Sequence, residues 1–172
     1  NAVVLGERHL GAKRVGTVVI GVTKNGAALA QRLANRLDGS AIIPEKFSSN
    51  GASVYADSAL AEVRRQWAKA QSLVLVMPTG VATRAVAPLL RDKAVDPAVV
   101  VVDEGGNWAI PLIGGHLAGA NELAEQIEGL IEARAVVTTA SDLQGLPSLD
   151  VLARDASWAV QGALTHVMGC LV

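Results

Sequence analysis

Residues Val15 to Val22 form an apolar run rich in Val and Ile, which stops at Thr23-Lys24-Asn25-Gly26. A short apolar run bounded by a turn reads as a buried strand. Leu29, Leu33 and Leu37 then recur four apart, with Arg32, Asn35 and Arg36 between them, so this segment is an amphipathic helix capped by Thr23 or Asn25. Ala41-Ile42-Ile43 is a short strand stopped by Pro44, and residues 45 to 57 read as a surface loop. A second helix is expected from Asp57 to Ala70 with Leu60, Val63 and Trp67 inward, followed by an apolar strand from Ser72 to Met77. Pro78-Thr79-Gly80 breaks that strand, and a short helix with Val81, Ala85 and Leu89 follows, kinked or ended by Pro88.

Pro97 to Val102 is the strongest strand signal in the chain. Only Asp103-Glu104-Gly105-Gly106-Asn107 separates it from Trp108 to Ile113. So short a linker demands a hairpin, because a parallel crossover takes a dozen residues or more. A third amphipathic helix is expected over 117 to 132, then a short strand from Ala135 to Thr138. A final helix begins near Gly145-Leu146-Pro147-Ser148, with Leu149, Leu152, Ala156 and Val160 as its stripe. Strands alternating with helices predict a three-layer α/β/α fold with a mixed, mostly parallel sheet and one β-hairpin at about 98–113. The expected organisation is an amino-terminal arm over 1–14 and one α/β domain over 15–172. The lack of an initiator Met and the apolar end at Leu171-Val172 suggest a piece of a longer protein.

Composition narrows the function classes. The chain is 51% hydrophobic but only 3% aromatic, so its core is aliphatic, as in a sheet covered on both faces. A net charge of −1 argues against a nucleic-acid surface. No apolar run is long enough to span a bilayer. Cys170 is the single cysteine, which excludes an internal disulfide, fits a reducing cytoplasm and reads as a small buried hydrophobe. The three histidines form no metal-ligand spacing, so no bound metal is expected, and neither a phosphate loop nor a dinucleotide fingerprint is present.

Chemistry is expected where polar, Gly-containing turns leave the strands. The Gly114-Gly115-His116 turn is the sharpest, because two glycines admit a ligand to the backbone and a helix from about Leu117 would offer unpaired N–H groups. His116 reads either as a general acid or base beside that turn or as a helix cap. Thr79 and Gly80 read as a cap and a close-approach glycine, with Arg84 one turn further on to pair with a carboxylate. Asp103 and Glu104 sit at the hairpin tip, where a solvated turn is the default. Thr138, Thr139, Ser141 and Asp142 make a hydroxyl-rich strand end, with helix capping as the rival role of Asp142. One shared pocket uniting residues 79 to 84, 103 to 104, 114 to 122 and 138 to 142 is the expectation.

The order of these blocks resembles the cobalt-precorrin-5A hydrolase family, also called CbiG. The resemblance is carried by Val76 to Lys93, Asp96 to Glu104, Gly114-Gly115-His116-Leu117-Ala118-Gly119-Ala120-Asn121-Glu122-Leu123-Ala124, and Thr138-Thr139-Ala140-Ser141-Asp142 with Gly145-Leu146-Pro147 after it. It is strongest over residues 72 to 152. It implies an enzyme of anaerobic cobalamin biosynthesis that opens the ring A δ-lactone of cobalt-precorrin-5A and releases acetaldehyde. On that resemblance His116 and Glu104 are the candidate catalytic residues. Thr79, Gly80, Arg84, Gly114, Gly115, Asn121, Thr138, Thr139 and Asp142 are the candidate substrate contacts. No cofactor is implied, since the cobalt enters with the corrinoid substrate. Other corrin-pathway enzymes, or a fused methyltransferase domain, are the implied partners. A family member would also continue into a further carboxy-terminal domain. The alternative function is a non-catalytic tetrapyrrole-binding or channelling module. A flavodoxin-like or nucleotide-binding domain is disfavoured by the missing phosphate loop and the scarcity of aromatics.

Overall fold

Seven strands build one sheet in the order β3-β2-β1-β4-β5-β6-β7 in the computed structural model, which describes residues 14–48, 51–93 and 95–139. The strands are β1 (Val15–Gly21), β2 (Ser40–Pro44), β3 (Ser53–Tyr55), β4 (Ala70–Val76), β5 (Ala98–Val102), β6 (Trp108–Ile113) and β7 (Arg134–Ala135). The helices are α1 (Lys24–Arg36), α2 (Ala59–Trp67), α3 (Thr79–Val86) and α4 (Ala120–Ile131). The first five strands are mutually parallel, β6 runs antiparallel to β5, and β7 runs parallel to β6. The mixed sheet and its hairpin are as the chain pattern predicts.

Alternating residues on each central strand serve opposite layers. Val74 and Val76 of β4, with Val100 and Val102 of β5, face α1 and α4 through Leu29, Leu33, Leu123 and Ile127. Leu73 and Leu75, with Val99 and Val101, face α2 and α3 through Val63, Trp67, Ala82 and Val86. Burial on both faces is why β4 and β5 read as unbroken apolar runs.

Several details differ from the chain pattern, among them the last strand, which is Arg134–Ala135 where Ala135 to Thr138 is expected. The 45–57 segment holds a 3-10 turn at Glu45–Phe47 and the edge strand β3. Three residues are too few for an alternating signal, and β3 exists because β2 offers it a parallel partner at Ile42↔Ser53. Helix α2 spans only Ala59–Trp67, with Ser58 as its cap, and Leu60 is 42% exposed while Glu62 is buried. Glu62 is held inside by Arg65 Nε and by Gln66 Nε2, each at 2.7 Å. Helix α4 starts at Ala120, since Gly119 adopts a left-handed φ of 87° that ends the preceding turn. Residues 145 to 172, with the expected final helix and Cys170, lie outside the described residues, as does the arm except Arg14. The Arg14 guanidinium donates to the Val95 carbonyl at 2.7 Å.

The edge strand is clipped by charge. Arg65 grips Asp57 with two hydrogen bonds of 2.7 and 2.8 Å, which lowers the Asp57 pKa from 3.8 to about 2. A depressed carboxylate contributes stability above its unfolded value and loses it as pH falls through the folded one. The Asp57 contribution is therefore complete above about pH 4 and disappears between about pH 4 and 2. Asp57→Asn is expected to flatten the acid limb of stability in that window, measured by urea midpoints from pH 2 to 5. An unchanged limb would show the clip to be energetically silent, as many exposed pairs are. No helix among the described residues is long and apolar enough to cross a membrane.

Candidate functional site

The parallel strands end in register. Gly21 pairs with Val76, and Val76 pairs with Val102, so β1, β4 and β5 finish in one row. From this carboxyl edge emerge Thr23, Pro78-Thr79-Gly80 and Asp103-Glu104. The chain leaves β1 toward the α1 layer and β4 toward the α3 layer, so the gap between them is the switch point where open α/β sheets collect ligands.

Each group at this edge is placed by a local cause. Thr23 is the N-cap of α1, accepting from Gly26 N at 2.9 Å, as its position before the Leu stripe predicts. Its hydroxyl also donates to Glu104 Oε2 at 2.5 Å. Because β4 lies between β1 and β5, this bond passes over the end of β4. Glu104 is held out for that contact by its neighbour. Asp103 turns back and accepts from Gly105 N, Asn107 N, Trp108 N and Asn107 Nδ2 at 2.7 to 3.2 Å. These donors keep the Asp103 carboxyl below its usual pKa, although burial pulls the other way as the largest single influence. The adjacent carboxylates thus divide the work, one knitting the turn and the other facing out. Asp103→Ala strands those donors and is expected to destabilise the fold by about 1–3 kcal/mol. Urea unfolding checks this, and a loss below about 0.5 kcal/mol would mean that water replaces the carboxylate.

Thr79 is the first residue of α3 and not its cap. That position belongs to Pro78, and the Thr79 carbonyl accepts from the Thr83 hydroxyl at 2.9 Å. The first turn of a helix leaves N–H groups without intrahelical partners. No side chain among the described residues caps this one, so among them the Thr79 and Gly80 amides have no partner and sit at an exposed surface. Nothing stands within 4 Å of where a Gly80 Cβ would be, so Gly80 does not mark a close approach within the fold. Arg84 is exposed on α3, with no ion pair among the described residues.

The remaining candidates lie at the other edge. Strand β6 is antiparallel, and its last residue, Ile113, pairs with Val99 near the start of β5. Gly114 therefore stands beside Pro97 and Ala98, roughly 16 Å or more along the strands from Glu104. The shared pocket expected from the sequence does not form. Gly114, Gly115 and His116 belong to the amino edge, because a hairpin reverses the direction in which a strand exits.

The helix start at that edge is also occupied. Ala120 N donates to the Gly114 carbonyl at 3.1 Å and Asn121 N to the Gly115 carbonyl at 3.0 Å. The amides at the observed start of α4 are therefore spent on the turn, and Leu117 lies before the helix. Gly114 is needed for its φ of 74°, and a Gly115 Cβ would lie 2.9 Å from Asn121 Oδ1. Asn121 is 5% exposed and donates to the Thr139 hydroxyl at 3.0 Å, tying the strand-end hydroxyls to α4. His116 is half-buried in the turn, and its carbonyl accepts from Gly119 N. Thr138 is exposed nearby, while Asp142 lies outside the described residues. Thr23, which the sequence shows only as a cap, is the site residue that pattern reading misses. Its second bond joins residues 81 apart, and no local signal reports it.

A mostly parallel sheet wound in both directions from β1 and β4, with a carboxylate and helix amides at its carboxyl edge, defines a doubly wound α/β domain with a polar carboxyl-edge site. Residues 61–142 match the family described as Cobalamin synthesis G N-terminal. The chain is 41% identical over 133 residues to the cobalt-precorrin-5A hydrolase of Salmonella typhimurium, which covers 77% of this chain and 38% of that protein. It is 38% identical over 93 residues to the cobalt-precorrin-5A hydrolase of Priestia megaterium, covering 54% of this chain and 25% of the relative. The crystal structure of a cobalamin biosynthesis protein G homolog from Sulfolobus solfataricus shares the fold, with a TM-score of 0.57 at 24% identity over 80% of this chain and 39% of that one. Residues 61–142 thus carry the domain described as Cobalamin synthesis G N-terminal, and the chain is similar to cobalt-precorrin-5A hydrolases. It spans well under half the length of the relatives it matches.

Proposed function

We propose that this chain forms the catalytic edge of a cobalt-precorrin-5A hydrolase in cobalamin biosynthesis, opening the ring A δ-lactone with release of acetaldehyde. The observation that carries the reading is Glu104, held by Thr23 at the carboxyl edge from which Thr79 and Gly80 also emerge. Hydrolysis of a lactone needs a base for the attacking water and donors for the oxyanion that forms at the carbonyl. Glu104 takes the proton from water as its oxygen adds to the lactone carbonyl. The Thr79 and Gly80 N–H groups meet the resulting negative charge, the ring C–O bond breaks, and the proton held by Glu104 passes to the departing alkoxide. The freed alcohol then gives up its proton as its carbon–oxygen bond becomes the carbonyl of acetaldehyde, the bond from that carbon to the macrocycle breaks, and the macrocycle keeps the electron pair and takes up a proton. Arg84 pairs with one of the peripheral carboxylates that such a tetrapyrrole carries. The substrate brings its own cobalt, so the step takes no further cofactor.

The family relationship supports the substrate class, and the single cysteine is in keeping with work in a reducing cytoplasm. The test is acetaldehyde release from cobalt-precorrin-5A by the full-length enzyme that contains this domain. Release at catalytic rates is expected, and corrinoid binding without acetaldehyde would favour the non-catalytic carrier instead. One observation favours that second reading: the polar groups are divided between two sheet edges and do not converge on one cleft.

A further inference from the structure

We infer that Thr23 is a positioning residue for Glu104, and that the hydrogen bond between them sets the carboxylate over the end of β4 for proton transfer. The inference rests on the hydrolase reading above, in which Glu104 is the base.

Glu104 occupies an exposed hairpin tip, where a long side chain is otherwise free among its rotamers. Asp103 fixes the backbone of the tip but does not touch the Glu104 carboxylate. The Thr23 hydroxyl does, at 2.5 Å, a length in the charge-assisted range for O–H to carboxylate. Thr23 is itself immobilised. It follows the end of β1 by two residues, and it accepts from Gly26 N as the N-cap of α1. A hydroxyl that accepts from a helix amide has its own proton directed elsewhere, and here that proton points at Glu104. The amide of α1 is thereby relayed through one hydroxyl to the carboxylate. Strands β1 and β5 are not neighbours, so this relay joins their exits across β4.

Capping and positioning separate by substitution. Aspartate is as good an N-cap as threonine but has no proton to give an ionised carboxylate and repels it. In the full-length enzyme, Thr23→Asp is expected to keep the wild-type thermal midpoint while kcat for acetaldehyde release falls roughly 10- to 100-fold. KM should stay within about threefold, and Thr23→Ser, which retains both functions, should restore kcat to within about threefold. In a Glu104→Gln background, Thr23→Asp should cost nothing more, because both changes remove one unit.

A Thr23→Asp enzyme with wild-type kcat overturns the inference, as does an equal loss in both backgrounds. The two failures are distinguishable. If Glu104→Gln turns over normally, the base assignment falls and Thr23 falls with it. If Glu104→Gln is crippled while Thr23→Asp is not, Glu104 stands and only the positioning role is lost.

Discussion

Gly21→Val is expected to destabilise the domain by about 3 kcal/mol or more and to leave little folded protein at 37 °C. Gly21 is the last residue of β1, where α1 turns back across the sheet. A Cβ there would lie 2.6 Å from the Gly26 carbonyl oxygen and 2.8 Å from both N and Cα of Ala27. All three are backbone atoms of a helix seated on the core, so no side chain can swing aside to make room. Relief requires lifting the start of α1, which carries Ala27, Leu29 and Ala30 out of their contacts with β1 and β4. It would also disturb the Gly21 carbonyl, which accepts from the buried Tyr55 hydroxyl at 3.0 Å. Burial, with Glu62 and Asp57 adding to it, pushes that phenol up to about 12, so it stays a donor through the neutral range. Urea unfolding of Gly21→Ala and Gly21→Val gives the measurement. Midpoints matching the wild type would mean that α1 yields freely. That would contradict the close strand–helix approach on which the switch point depends.

Glu104→Gln is expected to lower acetaldehyde release by about 10²- to 10⁴-fold, the range for removing a general base. His116→Ala in the same enzyme should change it by less than about threefold. Glutamine preserves the size of the side chain and can still meet the Thr23 hydroxyl through its carbonyl oxygen, so the fold is not at risk. The contrast follows from topology. His116 leaves β6 at the amino edge, so it and Glu104 are separated by the length of the sheet and cannot act on one bond. Steady-state kinetics on the two variants decide the matter. A crippled His116→Ala beside a normal Glu104→Gln would move the chemistry to the amino edge and reverse the assignment made here.

Much of this was present in the order of residues. Thr23, one of two caps the pattern offers, caps α1, α3 gives way after Val86 to a 3-10 turn that contains Pro88, and the five residues between Val102 and Trp108 demand a hairpin. The consequence of that hairpin was legible as well. Once β6 runs backward, the Gly114-Gly115-His116 turn must exit opposite the ends of β1, β4 and β5, and no pocket can unite it with Thr79. The reading that grouped them counted every strand's carboxyl end as one place, which holds only when all strands are parallel. The start of α4 was harder to see, since Leu117 and Ala118 suit a helix and only the left-handed backbone at Gly119 holds them out of it.

By itself the sequence determined the layer architecture, because apolar periods of about 3.6 and unbroken apolar runs leave few ways to bury both kinds of face. It also pointed to the cobalamin synthesis G amino-terminal domain that residues 61–142 match, through the order of its motif blocks. Only the tertiary structure decided which polar residues meet. Side chains far apart in the chain are joined by strand order and register, which no local window encodes. Thus Thr23 and Glu104, 81 residues apart, meet over β4, while His116, only twelve residues beyond Glu104, lies at the opposite edge.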